Sequence, residues 1–144
     1  MRTQQILKQA AQVFILLSAM ALLSVSILAF FNPQLVMDLV SVKLTNTDAF
    51  SSIRGVYGGV GLTLFITLIY LMLNDIAKGL AFLSLLWGFY ALSRTITIFA
   101  EGALGAFGQQ WLFIESIFCL IAIVLLLAKR KVDHSLKSSP YEAN

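Results

Sequence analysis

Four long runs of apolar residues constrain this chain more than any other feature of its sequence. They cover residues 13–31, 55–73, 79–100 and 111–128. A helix needs about 20 apolar residues to cross a hydrocarbon core roughly 30 Å thick, and each run meets or approaches that length. Backbone groups cannot stay unpaired in lipid, so each run is a helix or a strand of a closed barrel. Barrel strands alternate apolar and polar residues, and these runs do not, which predicts four helices.

The composition agrees with a membrane protein. Of the 144 residues, 59% are hydrophobic and 12% are charged, whereas soluble domains are about 45–50% apolar and about 25% charged. This balance excludes a disordered chain, a nucleic-acid-binding module and an ordinary soluble enzyme. The net charge of +3 does not indicate nucleic acid, because four of the ten basic residues lie at or beyond Lys129, directly after the last apolar run. A membrane surface accounts for that placement.

The basic residues also predict the orientation of the chain. If the chain crosses four times, seven of them share one side of the membrane: Arg2, Lys8, Lys78, Lys129, Arg130, Lys131 and Lys137. The positive-inside rule then places both termini in the cytoplasm. We predict an all-α, integral membrane four-helix bundle, multi-pass in a bacterial inner membrane, over residues 1–128. Residues 129–144 are predicted to be a polar, disordered cytoplasmic tail.

The first apolar run could instead belong to a cleaved signal peptide, because basic residues precede it. It is longer than the usual apolar region of about 7–15 residues, and no A-x-A cleavage site follows. A retained helix is therefore favoured. The long loop at residues 32–53 begins with Asn32-Pro33, which ends the first helix because the residue before a proline is disfavoured in the helical region. Within it, residues 34–44 predict a short helix on the outer interface, although alternation near the end of this segment also fits a strand. Thr47 or Asp48 is the expected N-cap of the second long helix.

Ionisable side chains inside membrane helices are costly and by default indicate function. Arg94 lies about 22 Å along its helix from the cytoplasmic edge, and Glu115 lies about 6 Å below the outer edge. Arg54 lies about 30 Å from the inner edge, and Glu101 is two turns beyond Arg94. These groups therefore converge on the outer third of the membrane, where we expect Arg94 and Glu115 to form an ion pair.

Tyrosines accompany this cluster, and together they define a predicted ligand site: Arg54, Tyr57, Tyr90, Arg94 and Glu115. Guanidinium groups bind carboxylates and phosphates through two parallel hydrogen bonds, so the site could hold a small anion or a lipid headgroup. Alternatively, the arginine–glutamate pair only locks helices together, and Arg54 reaches the interface.

Four glycines follow Arg54. Gly55 and Gly59 have small-xxx-small spacing, and Gly58 and Gly61 lie on the same helical stripe as Arg54. They predict close helix packing, or else a slot for a flat ligand or acyl chain.

The sequence lacks the residues that several kinds of chemistry require. The single cysteine, Cys119, cannot form an internal disulfide, and the single histidine, His134, lies in the predicted tail, so a Ser–His–Asp arrangement and a histidine pair are both absent. No Gly-Lys-Ser/Thr follows the glycines, which excludes a phosphate loop. We therefore predict no cofactor and no metal site, and we name no catalytic residue. These absences argue against an enzyme.

Four spans, the sequence RGVYGG at Arg54–Gly59 and an arginine late in the third run together resemble a known family. Over residues 13–128 the chain is similar to the small bacterial four-helix membrane proteins catalogued as a domain of unknown function, themselves distantly similar to the DoxX-like group. The resemblance implies a fold and a topology, and it transfers no catalytic residue because the family has no established activity. DoxX-like proteins include subunits of quinone-linked sulfur oxidation and thiol redox systems, but this chain lacks the paired cysteines that thiol chemistry needs.

Three hypotheses for function follow from these residues. The first is binding of a lipid or small amphipathic anion, or of a partner membrane protein, by the cluster near the outer leaflet. The second is a small membrane enzyme or redox-linked accessory subunit that uses Glu115 as an acid–base group. The third is a purely structural accessory subunit. The expected partners are membrane lipids and a partner membrane protein or a second copy of the chain, with no nucleic acid.

Overall fold

The structure is a computed structural model that describes residues 2–137, and all of its regular elements are helical. They are α1 (Arg2–Phe31), α2 (Pro33–Asp38), α3 (Thr47–Ile53), a π-helical segment (Arg54–Gly59), α4 (Val60–Asn74), α5 (Ile76–Ala100) and α6 (Ala106–Lys137). Within the described residues, four continuous helical stretches are long and apolar enough to cross a membrane: Gln4–Phe31, Thr47–Asn74, Ile76–Ala100 and Ala106–His134. The predicted all-helical fold is confirmed over the described residues, with four helices that have the length and apolar composition needed to span a membrane.

Two helices extend beyond the apolar runs that predicted them. α1 begins at Arg2, and α6 continues past residue 128 to Lys137 without a break. Both extensions lack glycine and proline and contain good helix formers such as glutamine, alanine, leucine and lysine, so the backbone continues as a helix where the side chains become polar. The described part of the predicted tail is therefore helical. Residues 138–144 of that tail lie outside the described residues.

The chain divides into two compact units. One comprises Met1–Phe14 and Asp75–Asn144, and we call it the hairpin unit because α5 and α6 form its main part. The other comprises Ile15–Asn74, and we call it the loop unit because it contains the long loop after α1.

Aromatic rings form the centre of the hairpin unit. The ring of Phe118 lies 5.5 Å from that of Phe14 and 5.2 Å from that of Trp87, measured between ring centroids. Ala11 and Ala122 are fully buried. Edge-to-face and tilted aromatic pairs of this kind contribute about 0.5–1.5 kcal/mol beyond the apolar area that they bury. They hold the start of α1 against the α5–α6 hairpin.

Asp75 begins the hairpin by capping α5. Its carboxylate accepts a hydrogen bond of 3.1 Å from the backbone N–H of Lys78 and lies 3.0 Å from the Lys78 Nζ atom. The backbone hydrogen bond, followed by the side-chain contact with the same lysine, holds the pKa of Asp75 below its ordinary value. At the other end, Glu101 closes α5 and Gly102 adopts a φ of 103°, which glycine reaches at little steric cost. The tight turn after Asn74 is thus built on a capping aspartate.

In the loop unit, α2 is shorter than the helix predicted over residues 34–44. It ends at Asp38, after which the backbone N–H of Val42 donates to the Met37 carbonyl and that of Ser41 donates to the Asp38 carbonyl. This pair of bonds is a Schellman motif, and Ser41 occupies its left-handed position with a φ of 58°. Apolar periodicity alone suggested a longer helix, but the left-handed residue turns the chain before it can continue.

The rest of the long loop is held by one side chain. The Gln34 amide donates to the Asp38 carboxylate at 2.7 Å and to the Val42 carbonyl at 2.9 Å, and its oxygen accepts from the Leu44 backbone N–H at 2.9 Å. Beneath it, Ala29, Val36 and Met37 form a buried cluster.

The expected N-cap at Thr47 or Asp48 is wrong. Asn46 caps α3, and its side chain accepts from the Ala49 backbone N–H at 2.8 Å.

The glycine stripe packs on α1, but through different glycines from the pair with small-xxx-small spacing. A Cβ placed on Gly61 would lie 3.0 Å from Ser26 Cβ, and one placed on Gly58 would lie 3.1 Å from the Phe30 ring. A Cβ on Gly55 or Gly59 would meet nothing within 4 Å. Gly55 and Gly59 lie in the π-helical segment, in which the backbone N–H of Val60 donates to the Gly55 carbonyl five residues back. Close packing by Gly58 and Gly61 on α1 is therefore confirmed, whereas Gly55 and Gly59 do not pack against another helix of the described chain.

Candidate functional site

The candidate site centres on an ion pair between α5 and α6. Arg94 Nε donates to one Glu115 carboxylate oxygen at 2.7 Å, and Arg94 Nη2 donates to the other at 2.9 Å. This is the bidentate geometry in which a guanidinium binds a carboxylate most strongly. The predicted contact between Arg94 and Glu115 is confirmed. It forms because the short connection after Ala100 folds α6 back along α5, so that residues 21 apart in sequence meet across the hairpin.

The two members of this pair differ sharply in exposure. The Glu115 side chain is 3% exposed, whereas that of Arg94 is 23% exposed. Glu115 is thus enclosed by the helices, and Arg94 is the more exposed member of the pair. Arg94 Nη1 has no hydrogen-bond partner among residues 2–137. The pair therefore has a buried anionic end and an accessible cationic edge that retains free N–H donors.

An aromatic ring lies beside that edge. The Cζ atom of Arg94 is 6.0 Å from the centroid of the Phe107 ring, at the outer limit of a cation–π contact. Phe107 in turn lies 6.1 Å from Trp111, again between ring centroids. Phe107 was not among the residues predicted for the site. The signal that could have found it is its place in the first turn of α6, two turns before Glu115 on the same helix.

Tyr90, the third predicted site residue of the hairpin unit, lies one turn before Arg94 on α5. Its side chain is 41% exposed, and its ring centroid is 6.1 Å from that of Trp87. Tyr90 thus belongs to the aromatic stripe of α5 that ends at the arginine. Glu101, the other acid considered as a partner for Arg94, is exposed at the end of α5.

The remaining two predicted site residues, Arg54 and Tyr57, belong to the loop unit. Arg54 Nε donates to the Phe30 carbonyl at 3.1 Å, and the Tyr57 side chain is 39% exposed. Phe30 lies in the last turn of α1, whose final carbonyls lack partners within the helix. Arg54 therefore stabilises the C-terminus of α1, where a cation also interacts favourably with the helix dipole. The sequence analysis did not anticipate this role.

Other reactive groups lie elsewhere. The Cys119 thiol donates to the Ser84 carbonyl at 3.4 Å and would lie 3.3 Å from a Cβ on Gly88, so it packs between α5 and α6. Over residues 2–137, no group of three histidine, cysteine, aspartate or glutamate side chains is placed to hold a metal ion. The chemistry that this part of the chain offers is the recognition of an anion by a preoriented guanidinium.

Comparison with known proteins identifies the family. Residues 10–126 match the model of a domain of unknown function, DUF4345. The chain belongs to this family. No curated protein and no solved structure shows a significant match. The DUF4345 match covers most of α1, all of α2–α5 and α6 as far as Leu126, and therefore both Arg54 and the Arg94–Glu115 pair. It confirms the resemblance to a family of unknown function and leaves the chemistry of the site to be argued from its geometry.

Proposed function

We propose that this protein binds the acidic headgroup of a membrane lipid, or a small amphipathic anion, at the free edge of Arg94. The observation that carries the proposal is the asymmetry of the pair, in which Glu115 is enclosed and Arg94 keeps a donor directed away from it. Glu115 orients the guanidinium, Phe107 lies beside it, and Nη1 is left to donate to a phosphate or carboxylate oxygen. Tyr90 lies one turn away on the same helix and adds a phenolic hydroxyl.

The proposal includes an orientation and a location. We place both termini in the cytoplasm of a bacterial inner membrane, from the distribution of lysine and arginine. Arg94, Glu115 and, separately, Arg54 then lie toward the outer leaflet. α2 lies on the outer interface, which is supported by its two apolar faces: Val36 and Met37 are buried, whereas Leu35 and Leu39 are 47% and 51% exposed. An exposed apolar face beside polar loop residues is typical of a helix at a membrane surface.

The second candidate is a small membrane enzyme or redox-linked subunit of DoxX-like kinship that uses Glu115 as an acid–base group. The geometry supports it less, because both carboxylate oxygens already accept from Arg94 and the side chain is 3% exposed. A general base must reach the proton that it abstracts directly or through one water. A partner membrane protein, or a second copy of the chain, could present a carboxylate to Arg94 in place of a lipid.

Native mass spectrometry of the full chain, purified in mild detergent, tests the proposal. The wild-type protein is expected to retain an acidic lipid. The double variant Arg94→Met with Glu115→Gln removes both charges at once, so it avoids a buried unpaired carboxylate, and it should remain folded and retain less acidic lipid than wild type. Lys43→Gln, an exposed cation of the long loop, is the control and should retain the lipid. Equal retention by a folded double variant would contradict the proposal.

A further inference from the structure

A second cluster of cations lies at the opposite end of the hairpin unit from the Arg94–Glu115 pair. α6 continues as a helix after its apolar run, and the only acidic residue in its described extension is Asp133. Both Asp133 carboxylate oxygens lie within 2.7 Å of Lys129 Nζ, one turn earlier. That acid is therefore neutralised locally. The neighbouring Arg130 and Lys131 are exposed and form no hydrogen bond or ion pair with another described residue.

The direction of Arg130 follows from the buried residues before it. Ala122 and Leu126 are 0% and 8% exposed, and Arg130 continues their stripe at the next i+4 position. This stripe is the face that α6 turns toward its neighbours in the hairpin unit. Arg130 therefore extends from the packed side of the helix rather than from its opposite side, at the point where packing ends.

The start of α1 supplies two further cations at this end. Arg2 lies twelve residues before Phe14, and Arg130 lies twelve residues after Phe118, the ring that contacts Phe14. In a chain that crosses four times, α1 and α6 are antiparallel, so each arginine lies about 18 Å from this aromatic contact in the same direction. Lys8 is less than two turns from Arg2 and is also exposed, and neither forms an ion pair among residues 2–137.

We propose that Arg2, Lys8, Arg130 and Lys131 form a binding site for the phosphate groups of acidic phospholipids in the leaflet on that side. Arg130 and Lys131 follow Ala128, the end of the apolar run, by two and three residues, or about 3–5 Å along the helix. The headgroup layer is about 5–7 Å thick on each side of the hydrocarbon core, so both cations lie at the depth of lipid phosphates. Lys8 reaches the same layer by extending its side chain along the lipid-facing surface.

A lipid fits this cluster better than a soluble polyanion. The cations adjoin apolar, exposed side chains, such as Leu127 at 59% and Val124 at 55%, against which acyl chains can lie. A lipid with two phosphates would contact arginines from both helices at once. Each cation near the surface contributes about 5-fold in affinity for acidic lipid, so two together contribute about 30-fold.

Native mass spectrometry of the full chain, titrated separately with cardiolipin and with phosphatidylcholine, measures this preference. The wild-type protein should bind cardiolipin more tightly, and an excess of inorganic phosphate should not displace it. Arg130→Gln with Lys131→Gln should weaken cardiolipin binding by about 30-fold and leave phosphatidylcholine binding unchanged. Displacement by inorganic phosphate alone would indicate a phosphate site and would overturn the assignment to lipid.

The matched control is Lys43→Gln with Lys78→Gln, which makes the same change in net charge. Lys43 lies in the long loop, and Lys78 is already paired with Asp75, so cardiolipin binding should stay within about 3-fold of wild type. Equal weakening by this control would show a general charge effect and overturn the site. Arg94→Met with Glu115→Gln removes the proposed headgroup site at the other end. In that background Arg130→Gln with Lys131→Gln should still weaken the remaining cardiolipin binding by about 30-fold, so that failure of this proposal and failure of the proposed function are distinguishable.

Discussion

The enclosed carboxylate of Glu115 is stabilised by a single guanidinium, so the two residues should behave as a unit. Glu115→Gln leaves Arg94 without its anionic partner and should lower the free energy of unfolding by up to about 3 kcal/mol. Combining Glu115→Gln with Arg94→Met should recover much of that loss, because no uncompensated charge remains. Thermal or denaturant unfolding in mild detergent measures both variants. Asp133→Asn, which breaks the more exposed Lys129 pair, is the control and should cost about 1 kcal/mol or less.

Ser41 is a second residue at which a substitution should change the melting temperature in a predictable direction. Its φ of 58° places a non-glycine residue in the left-handed region, which costs about 1–2 kcal/mol for an ordinary L-residue. Ser41→Gly should therefore raise the melting temperature slightly, after allowance for the greater freedom of glycine in the unfolded chain. Ser41→Val should lower it, because a β-branched side chain tolerates this conformation poorly. A fall in melting temperature for the glycine variant would show that the turn is not strained.

At the scale of elements, the packing of the π-helical segment and α4 on α1 depends on two glycines. Gly58→Leu would force side-chain atoms into the Phe30 ring and should destabilise the protein by about 1–3 kcal/mol. Gly59→Leu is the matched control, since a Cβ at that position meets nothing within 4 Å. Its melting temperature should stay near that of wild type. Similar melting of both variants would contradict the packed face assigned to Gly58.

The N-terminus of α5 should show a pH dependence that originates from Asp75. Because the pKa of Asp75 is lowered in the folded protein, its stabilising contribution is complete above the unfolded value of about 3.9 and is lost as the pH falls through the lower folded value. Asp75→Asn keeps a capping oxygen but removes the titration. The difference in melting temperature between wild type and this variant should be constant above about pH 5 and shrink below about pH 4. A constant difference down to about pH 2.5 would contradict this cap.

For the whole molecule, the decisive prediction is topology. Reporter fusions at Asn144 and at Asp75 should both be cytoplasmic, and a fusion at Gly105 should be external, because seven basic residues share one side of a four-span chain. An external C-terminus would contradict the orientation on which the outer placement of Arg94 depends. It would not affect the Arg94–Glu115 contact itself, which is internal to the hairpin.

Much of this architecture could be predicted from local sequence. The four spans follow from run length alone, since lipid leaves the backbone no other solution. The Arg94–Glu115 pair follows from depth, because a permanently charged guanidinium in a membrane helix needs a partner, and a short hairpin places one acid at its level. The match of residues 10–126 to DUF4345 agrees with the motif at Arg54–Gly59 that suggested the family. Each of these inferences uses residues close in sequence or a single periodic pattern.

Only the tertiary structure decided how particular side chains are used. Arg54 was expected to face a ligand or to reach the interface, and the structure adds that its Nε donates to a carbonyl 24 residues earlier. Gly55 and Gly59 have the spacing of a packing motif, but Gly58 and Gly61 are the glycines that pack on α1. Gln34 closes a loop by bonding residues four to ten positions away. The physical reason is common to all three. Each contact depends on where the helices end and how they pack, and the local sequence pattern does not specify either.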